Sequence, residues 1–214
     1  MKPKLICVLG ETGSGKDTIV NNAINQSLFD IKKVCSYTDR PVRDGEINGV
    51  EHYFISTEEF DKLKETRKDD ILAYTRIKNP NQIDYAGYQY MALADELEKA
   101  HIYIIDYNGL KFLKEKYKDK IDIVTVYIYA SFFTRLRRAK AKRSDFKTEF
   151  KKRVKAEKEQ FKEFKKLKLY DYKIRNDNWH LDRAVLDMRY ILTNELIYHA
   201  NISNIPYPKA TKNK

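Results

Sequence analysis

The sequence predicts an α/β protein in which a parallel sheet is flanked by helices, and three observations carry that prediction. Short apolar runs such as Leu5–Leu9 and Ile123–Tyr129 alternate with stretches of helical period. The first run leads straight into the glycine-rich turn Gly10-Glu11-Thr12-Gly13-Ser14-Gly15-Lys16-Asp17-Thr18 and then into a helical stretch. A third run, Ile102–Asp106, ends in a carboxylate. Ligands in such sheets bind beyond the carboxyl ends of the strands, which is where the glycine-rich turn and Asp106 both fall.

The elements follow in chain order. Leu5–Leu9 reads as a buried strand, and Thr18–Ser27 as the helix after the turn. Lys33–Tyr37 is a short strand, Pro41–Gly49 a turn-rich segment, and His52–Ile55 extended. Thr57 opens a helix with the spacing of a capping box. Ile71–Ile77 reads as a strand, Asn79–Tyr88 as a loop and Met91–Lys99 as a helix. From Phe132 to Leu167 the chain is helical with a break near Ser144-Asp145. Phe146, Phe150, Val154, Phe161 and Phe164 recur there at steps of three, four or seven, a packing stripe. Tyr172–Ile174 is the last strand and Leu181–His199 the last helix. A loosely ordered basic tail follows to Lys214.

Of the 214 residues, 42% are hydrophobic and 34% charged, which suits a folded domain rather than a disordered chain. No apolar stretch has the length of a membrane helix, so no membrane contact is expected and the expected location is cytoplasmic. Cys7 and Cys35 sit in apolar runs and read as reduced core thiols. The net charge of +11 is local: Arg135–Arg175 holds 18 Lys+Arg against 6 Asp+Glu, leaving the rest of the chain nearly neutral. Such a stretch suits a solvated helix face, the phosphates of a small substrate, or nucleic acid.

The glycine-rich turn has the spacing G-x-x-x-x-G-K-[ST] of a phosphate-binding loop, except that Asp17 stands where a hydroxyl is expected. Gly10, Gly13 and Gly15 let backbone N–H groups converge on one point, and the next helix adds its positive end. Glu11, Thr12 and Ser14 complete the loop, and Lys16 reaches the outer phosphates. Asp17 supplies a hard oxygen for magnesium, Thr18 a hydroxyl, and Asp106 a second carboxylate for the metal or the substrate.

A second anion site lies in Ser36-Tyr37-Thr38-Asp39-Arg40-Pro41-Val42-Arg43-Asp44-Gly45-Glu46, where Arg40 and Arg43 can converge on one phosphate. Residues 36–56, SYTDRPVRDGEINGVEHYFIS, resemble the guanylate kinase pattern S-S-T-T-R-x-P-R-x-G-E-x-x-G-x-D-Y-x-F-V-S. The likeness extends to the phosphate loop, to Ile104–Gly109, to Arg138 and Arg153, and to Ile174-Arg175-Asn176-Asp177, from about residue 4 to 195. It implies the P-loop NTPase fold with a nucleoside-monophosphate-binding insert and a helical lid. The expected division is core with the loop at 1–35, insert at 36–98, core at 99–136, lid at 137–152, core at 153–199 and tail at 200–214. It also implies transfer of the γ-phosphoryl of ATP to GMP, dGMP or a related monophosphate, with Mg2+. On that likeness Lys16 holds ATP phosphates, and Arg40 and Arg43 grip the acceptor phosphate. Ser36 meets the base, and Asn176 lies beside the adenine. Arg138 and Arg153 close on the transferring group, with a third lid arginine at Arg143 or its place taken by Lys142.

The pattern also departs from the family. His52 stands where the family has its phosphate-contacting tyrosine, with Tyr53 one place later on the opposite strand face. The glutamate that reads guanine falls on Ala73, the family's hydroxyl residue on Tyr88, and the second acid of D-x-D on Asn108. Losing carboxylate acceptors weakens guanine selection, so the expectation is retained transfer chemistry with relaxed or changed base preference, unless Asp84 of the longer loop Lys78–Asp84 supplies the acceptor instead, which leaves guanine open. The readings set against this kinase are a non-catalytic binding module of the same fold, and a nucleic-acid-binding protein using the basic stretch.

Overall fold

In the computed structural model, residues 2–43, 45–77, 87–142 and 146–197 are described. Two four-stranded sheets are present among them. The first is parallel throughout. Its strands are β1 (Lys4–Leu9), β6 (Ile102–Ile104), β7 (Asp122–Tyr129) and β8 (Tyr172–Arg175), in the order β6-β1-β7-β8. Such strands are covered on both faces, which explains their continuous apolar runs. Helices α1 (Lys16–Asn25) and α6 (Leu181–Ile197) pack on one face, around Ile6, Val8, Ile19, Val185 and Met188. On the other face α3 (Tyr107–Tyr117) and α5 (Phe146–Lys166) bury Leu113, Tyr127, Phe161 and Phe164. Phe150, Phe161 and Phe164 are buried, so the stripe on α5 is packing, as its spacing predicts. α4 (Phe132–Lys142) runs from the end of β7 and packs on α5.

The second sheet has the order β3-β2-β5-β4, built from β2 (Ser36–Thr38), β3 (His52–Phe54), β4 (Ile71–Ile77) and β5 (Tyr88–Leu93). It is mixed: β2 runs parallel to β3 and antiparallel to β5, and β5 is antiparallel to β4. α2 (Thr57–Thr66) covers it through Phe60, which packs with Met91 and Leu93.

Three expectations need correction. Residues 91–99 are not a helix. Tyr88–Leu93 is a central strand, and Ala94–Glu98 is a short 3-10 turn. Buried Gln89 fixes this strand: its amide nitrogen donates to Asp39 and Asp61, and its side-chain oxygen accepts from Tyr74. The strand predicted over 33–37 is shared between sheets, with Lys33 bridging to Ile102 and Ser36–Thr38 joining the second sheet. The cap of α2 is Ser56 rather than Thr57. Its hydroxyl accepts from the Glu59 amide at 3.1 Å, and the Glu59 carboxylate accepts from the Ser56 amide at 2.8 Å. Cys7 and Cys35 are free and buried, and burial pushes their thiols up to about 12 and about 11. The tail after 197, the break at 143–145 and the loop at 78–86 lie outside the described residues.

Candidate functional site

A cleft of about 600 Å³ opens between the carboxyl ends of the parallel strands, the second sheet and helices α4 and α5. Its floor is the phosphate loop. Gly13 and Gly15 take φ of +80° and +84°, and a Cβ on Gly15 would lie 2.5 Å from Asn176 Nδ2. Only glycine meets both demands at that position. No side chain caps the first turn of α1, whose positive end therefore faces the loop. Asn176 fixes the loop from behind, donating from Nδ2 to the Ser14 carbonyl at 2.7 Å. Arg138 donates to the same carbonyl at 3.2 Å and to Asn176 Oδ1 at 3.4 Å.

Two carboxylates, Glu11 of the loop motif and Glu157, which no motif singles out, tie the loop to the helices above it. Glu11 pairs with Arg135 of α4 at 3.2 Å and with Lys165 of α5 at 3.5 Å, and accepts from the Tyr127 hydroxyl at 3.0 Å. Glu157 of α5 accepts from the Thr12 amide at 2.8 Å and from the Thr12 hydroxyl at 2.9 Å.

At the opposite end, Arg40 and Arg43 differ in kind. Four of the five Arg40 N–H groups have partners: Tyr90, the Pro41 carbonyl, and both oxygens of Glu46 at 2.8 and 3.0 Å. Arg40 also lies 5.1 Å from the centre of the Phe54 ring and is 4% exposed. Burial works against its charge, but Glu46 and Tyr90 restore it and its proton affinity is raised. Arg43 has no carboxylate partner among the described residues, since only its backbone amide meets Glu46. Partial burial, then Arg153 and Arg40, lower its proton affinity. Arg40, Arg43 and Arg153 all line this cleft, and an incoming phosphate would offset their mutual repulsion.

Beside them, β2 and β3 place Ser36 against His52 in register. Ser36 Oγ and His52 Nδ1 are 2.8 Å apart. Burial and then Arg40 lower the His52 proton affinity, so the ring is neutral at pH 7. His52 faces the cleft while Tyr53 packs on Tyr37 on the other face, ring centres 4.8 Å apart, as strand alternation requires. Ala73, Thr75, Tyr103 and Ile104 complete this end.

Asp106 caps α3, accepting from the Gly109 amide at 2.9 Å. Burial raises its proton affinity against the pull of that cap, Thr75 and Lys16. Asp17 lies 3.9 Å from Lys16 Nζ with its carboxylate largely exposed. Asp17, Thr18 and Asp106 all line the cleft, and these hard oxygens suit magnesium. Among the described residues no three His, Cys, Asp or Glu side chains converge on one point. Magnesium here would therefore share its coordination with nucleotide phosphates and water.

Of the residues singled out in the sequence, the cleft lining gathers Gly10, Thr12, Gly13, Gly15, Lys16, Asp17, Thr18, Ser36, Arg40, Arg43, His52, Asp106, Arg138, Arg153 and Asn176. It does not include Glu11, Ser14, Tyr53, Tyr88 or Asn108. Ser14 is turned onto Gly10, where a Cβ would meet its hydroxyl at 2.5 Å. Arg143 lies outside the described residues. Glu46, Glu157 and Tyr90 line the cleft and were not singled out. For Glu46 alone a signal was present, the acid three residues after Arg43 in the same turn.

A parallel sheet opening on a phosphate loop, with cations from two further elements facing it, defines a P-loop phosphotransferase scaffold. The guanylate kinase family profile matches residues 2–195. The guanylate kinase of Clostridium tetani is 32% identical over 183 residues, covering 84% of this chain and 81% of that protein. That of Mycoplasmopsis synoviae is 29% identical over 209 residues, covering 91% and 96%. A crystal structure of guanylate kinase from Anaplasma phagocytophilum superposes with a TM-score of 0.63 at 22% identity, covering 92% of this chain and 88% of that one. The chain belongs to the guanylate kinase family, the ATP-dependent nucleoside monophosphate kinases. No helix among the described residues is long and apolar enough to cross a membrane.

Proposed function

We propose that the chain transfers the γ-phosphoryl of ATP to GMP, dGMP or a related nucleoside monophosphate within this cleft. The carrying observation is that one cleft is lined by the phosphate loop, by Ser36, Arg40 and Arg43, and by Arg138 and Arg153. The loop amides and Lys16 bind the donor phosphates, and Asn176 borders the donor nucleoside. Arg43, with the Arg40 N–H that has no partner among the described residues, holds the acceptor phosphate. With the Ser36 hydroxyl donating to His52 Nδ1, the neutral ring carries its proton on the far nitrogen, which can then donate to that phosphate.

In the reaction an acceptor phosphate oxygen attacks the γ-phosphorus as its bond to the β-phosphate oxygen breaks. The protein's part is positioning and charge, not covalent chemistry. Arg138 and Arg153 offset the charge on the transferring group, and α4 and α5 exclude water above it. Asp17, Thr18 and Asp106 are the residues that would hold magnesium, which supplies further charge neutralisation on the phosphates.

The base is where this chain departs from its relatives. Ala73 is 1% exposed and lines the cleft where the family carries a glutamate, so it offers no acceptor to a guanine N1–H or amino group. Base preference is therefore relaxed relative to a guanine-specific enzyme. ADP formation measured with each of GMP, dGMP, AMP, dAMP, CMP, dCMP, UMP and dTMP tests both points, with Lys16→Ala as the blank. Turnover lost in the blank supports the kinase. No turnover with any monophosphate refutes it.

A further inference from the structure

The charges that reach the cleft from α5 are Arg153 and, one helical turn later, Glu157. Residues four apart share a helix face. Arg153 lines the cleft together with Arg43, whose proton affinity it lowers, while Glu157 grips Thr12 in the phosphate loop. The grip is two-pronged. One carboxylate oxygen accepts from the Thr12 amide and the other from the Thr12 hydroxyl, at 2.8 and 2.9 Å. A carboxylate beside a triphosphate site is electrostatically unfavourable for binding, so its presence calls for a geometric reason. The loop amide it holds belongs to the segment that shapes the donor site. The helix it stands on carries the arginine aimed at the transferring group.

We infer that Glu157 is a positioning residue for phosphoryl transfer: through Thr12 it sets the distance and orientation between the phosphate loop and Arg153. The inference rests on the kinase reading above. Glu11 gives the same connection a second strand through Arg135 and Lys165, but from behind the loop, outside the cleft lining. Glu157 is thus the member of the tether that shares the cleft with the reacting phosphates. Its two hydrogen bonds fix the loop in one orientation where a single contact would leave it free to rock. A displacement of the reacting groups by about 1 Å costs a rate factor of up to about 10².

The test is steady-state kinetics with Glu157→Ala, Glu157→Gln and Thr12→Val, each checked for folding by its unfolding midpoint. Glu157→Ala should lower kcat about 10- to 100-fold while KM for the acceptor changes less than threefold. Glu157→Gln should recover most of that rate. Its amide oxygen still accepts from the Thr12 N–H, and its NH₂ can donate to the threonine hydroxyl. Removing the carboxylate charge should also lower KM for ATP in Glu157→Gln. Thr12→Val loses one prong and should fall between wild type and Glu157→Ala. An unchanged kcat in Glu157→Ala, or a Glu157→Gln as impaired as Glu157→Ala, overturns the inference while leaving the kinase reading standing. If Glu157→Ala does not fold, Thr12→Val decides: wild-type kcat there overturns the inference. A wild-type protein without turnover on any monophosphate contradicts both.

Discussion

The two ends of the cleft are built on opposite principles. The phosphate end is over-supplied with recognition: Lys16, Arg138, Arg153, Arg43 and the loop amides surround a space that wants negative charge. The base end is under-supplied. Ala73 and Ile104 are apolar, Ser36 is already bonded to His52, Thr75 is bonded to Asp106, and Tyr103 adds a hydroxyl but no charge. Under the proposed function, phosphate and base recognition are separable in one cleft, because phosphoryl transfer draws on charge and position while base choice draws on unpaired hydrogen-bonding groups.

The largest effect that could break this contrast is at the phosphate end. Lys16→Ala should lower kcat/KM about 10³-fold with every acceptor alike, read as ADP formation. A loss confined to one base would merge the two ends. Asp106→Asn comes next. Asparagine still caps α3, so the helix stays, but the carboxylate is gone. Activity should fall about 10²-fold, within the range for a removed charge-stabilising group. Stability moves the other way. A carboxyl whose folded pKa is raised loses stability as pH climbs from its unfolded value through its folded one. That loss sets in as the pH climbs above the ordinary carboxylate range. Asp106→Asn should therefore unfold at or above the wild-type midpoint at pH 7.

Glu46→Ala leaves Arg40 buried without its bidentate partner and should cost about 2 kcal/mol of stability in denaturant titration, with weakened acceptor binding. At the base end, Ala73→Glu should sharpen the contrast by raising the preference for GMP over AMP about tenfold or more, read as a ratio of kcat/KM values. The smallest effect is pH-dependent. The lowered proton affinity of His52 keeps the ring neutral until the pH drops below its ordinary titration range near 6.5. Acceptor KM should stay flat from pH 8 to 6.5 and change below that, and His52→Gln should remove the change.

The phosphate loop, its flanking strand and helix, and the two arginines of residues 40–43 were legible because each is local: spacing alone specifies the geometry. β5 was not legible. Met91-Ala92-Leu93 are good helix formers, and the pairing with β2 and β4, together with the bonds of Gln89 to Asp39 and Asp61, makes the stretch a strand, all with partners far away in sequence. The strand predicted at 33–37 is only Ser36–Thr38 plus an isolated bridge from Lys33 to Ile102, a division between two sheets that the local sequence does not carry. The alternation of His52 and Tyr53 was readable from strand geometry, whereas the partner that occupies His52, Ser36, was known only once β2 and β3 were paired. Glu11 and Glu157 show the limit most plainly. Their partners Arg135 and Thr12 lie 124 and 145 positions away, and no spacing rule joins residues so distant.

The most direct test of separable phosphate and base recognition is the full set of kcat/KM values for the eight monophosphates, with Lys16→Ala alongside. The account predicts turnover that vanishes in the variant and a GMP advantage below a hundredfold over the next best acceptor. A GMP advantage of a hundredfold or more over all the others would contradict it.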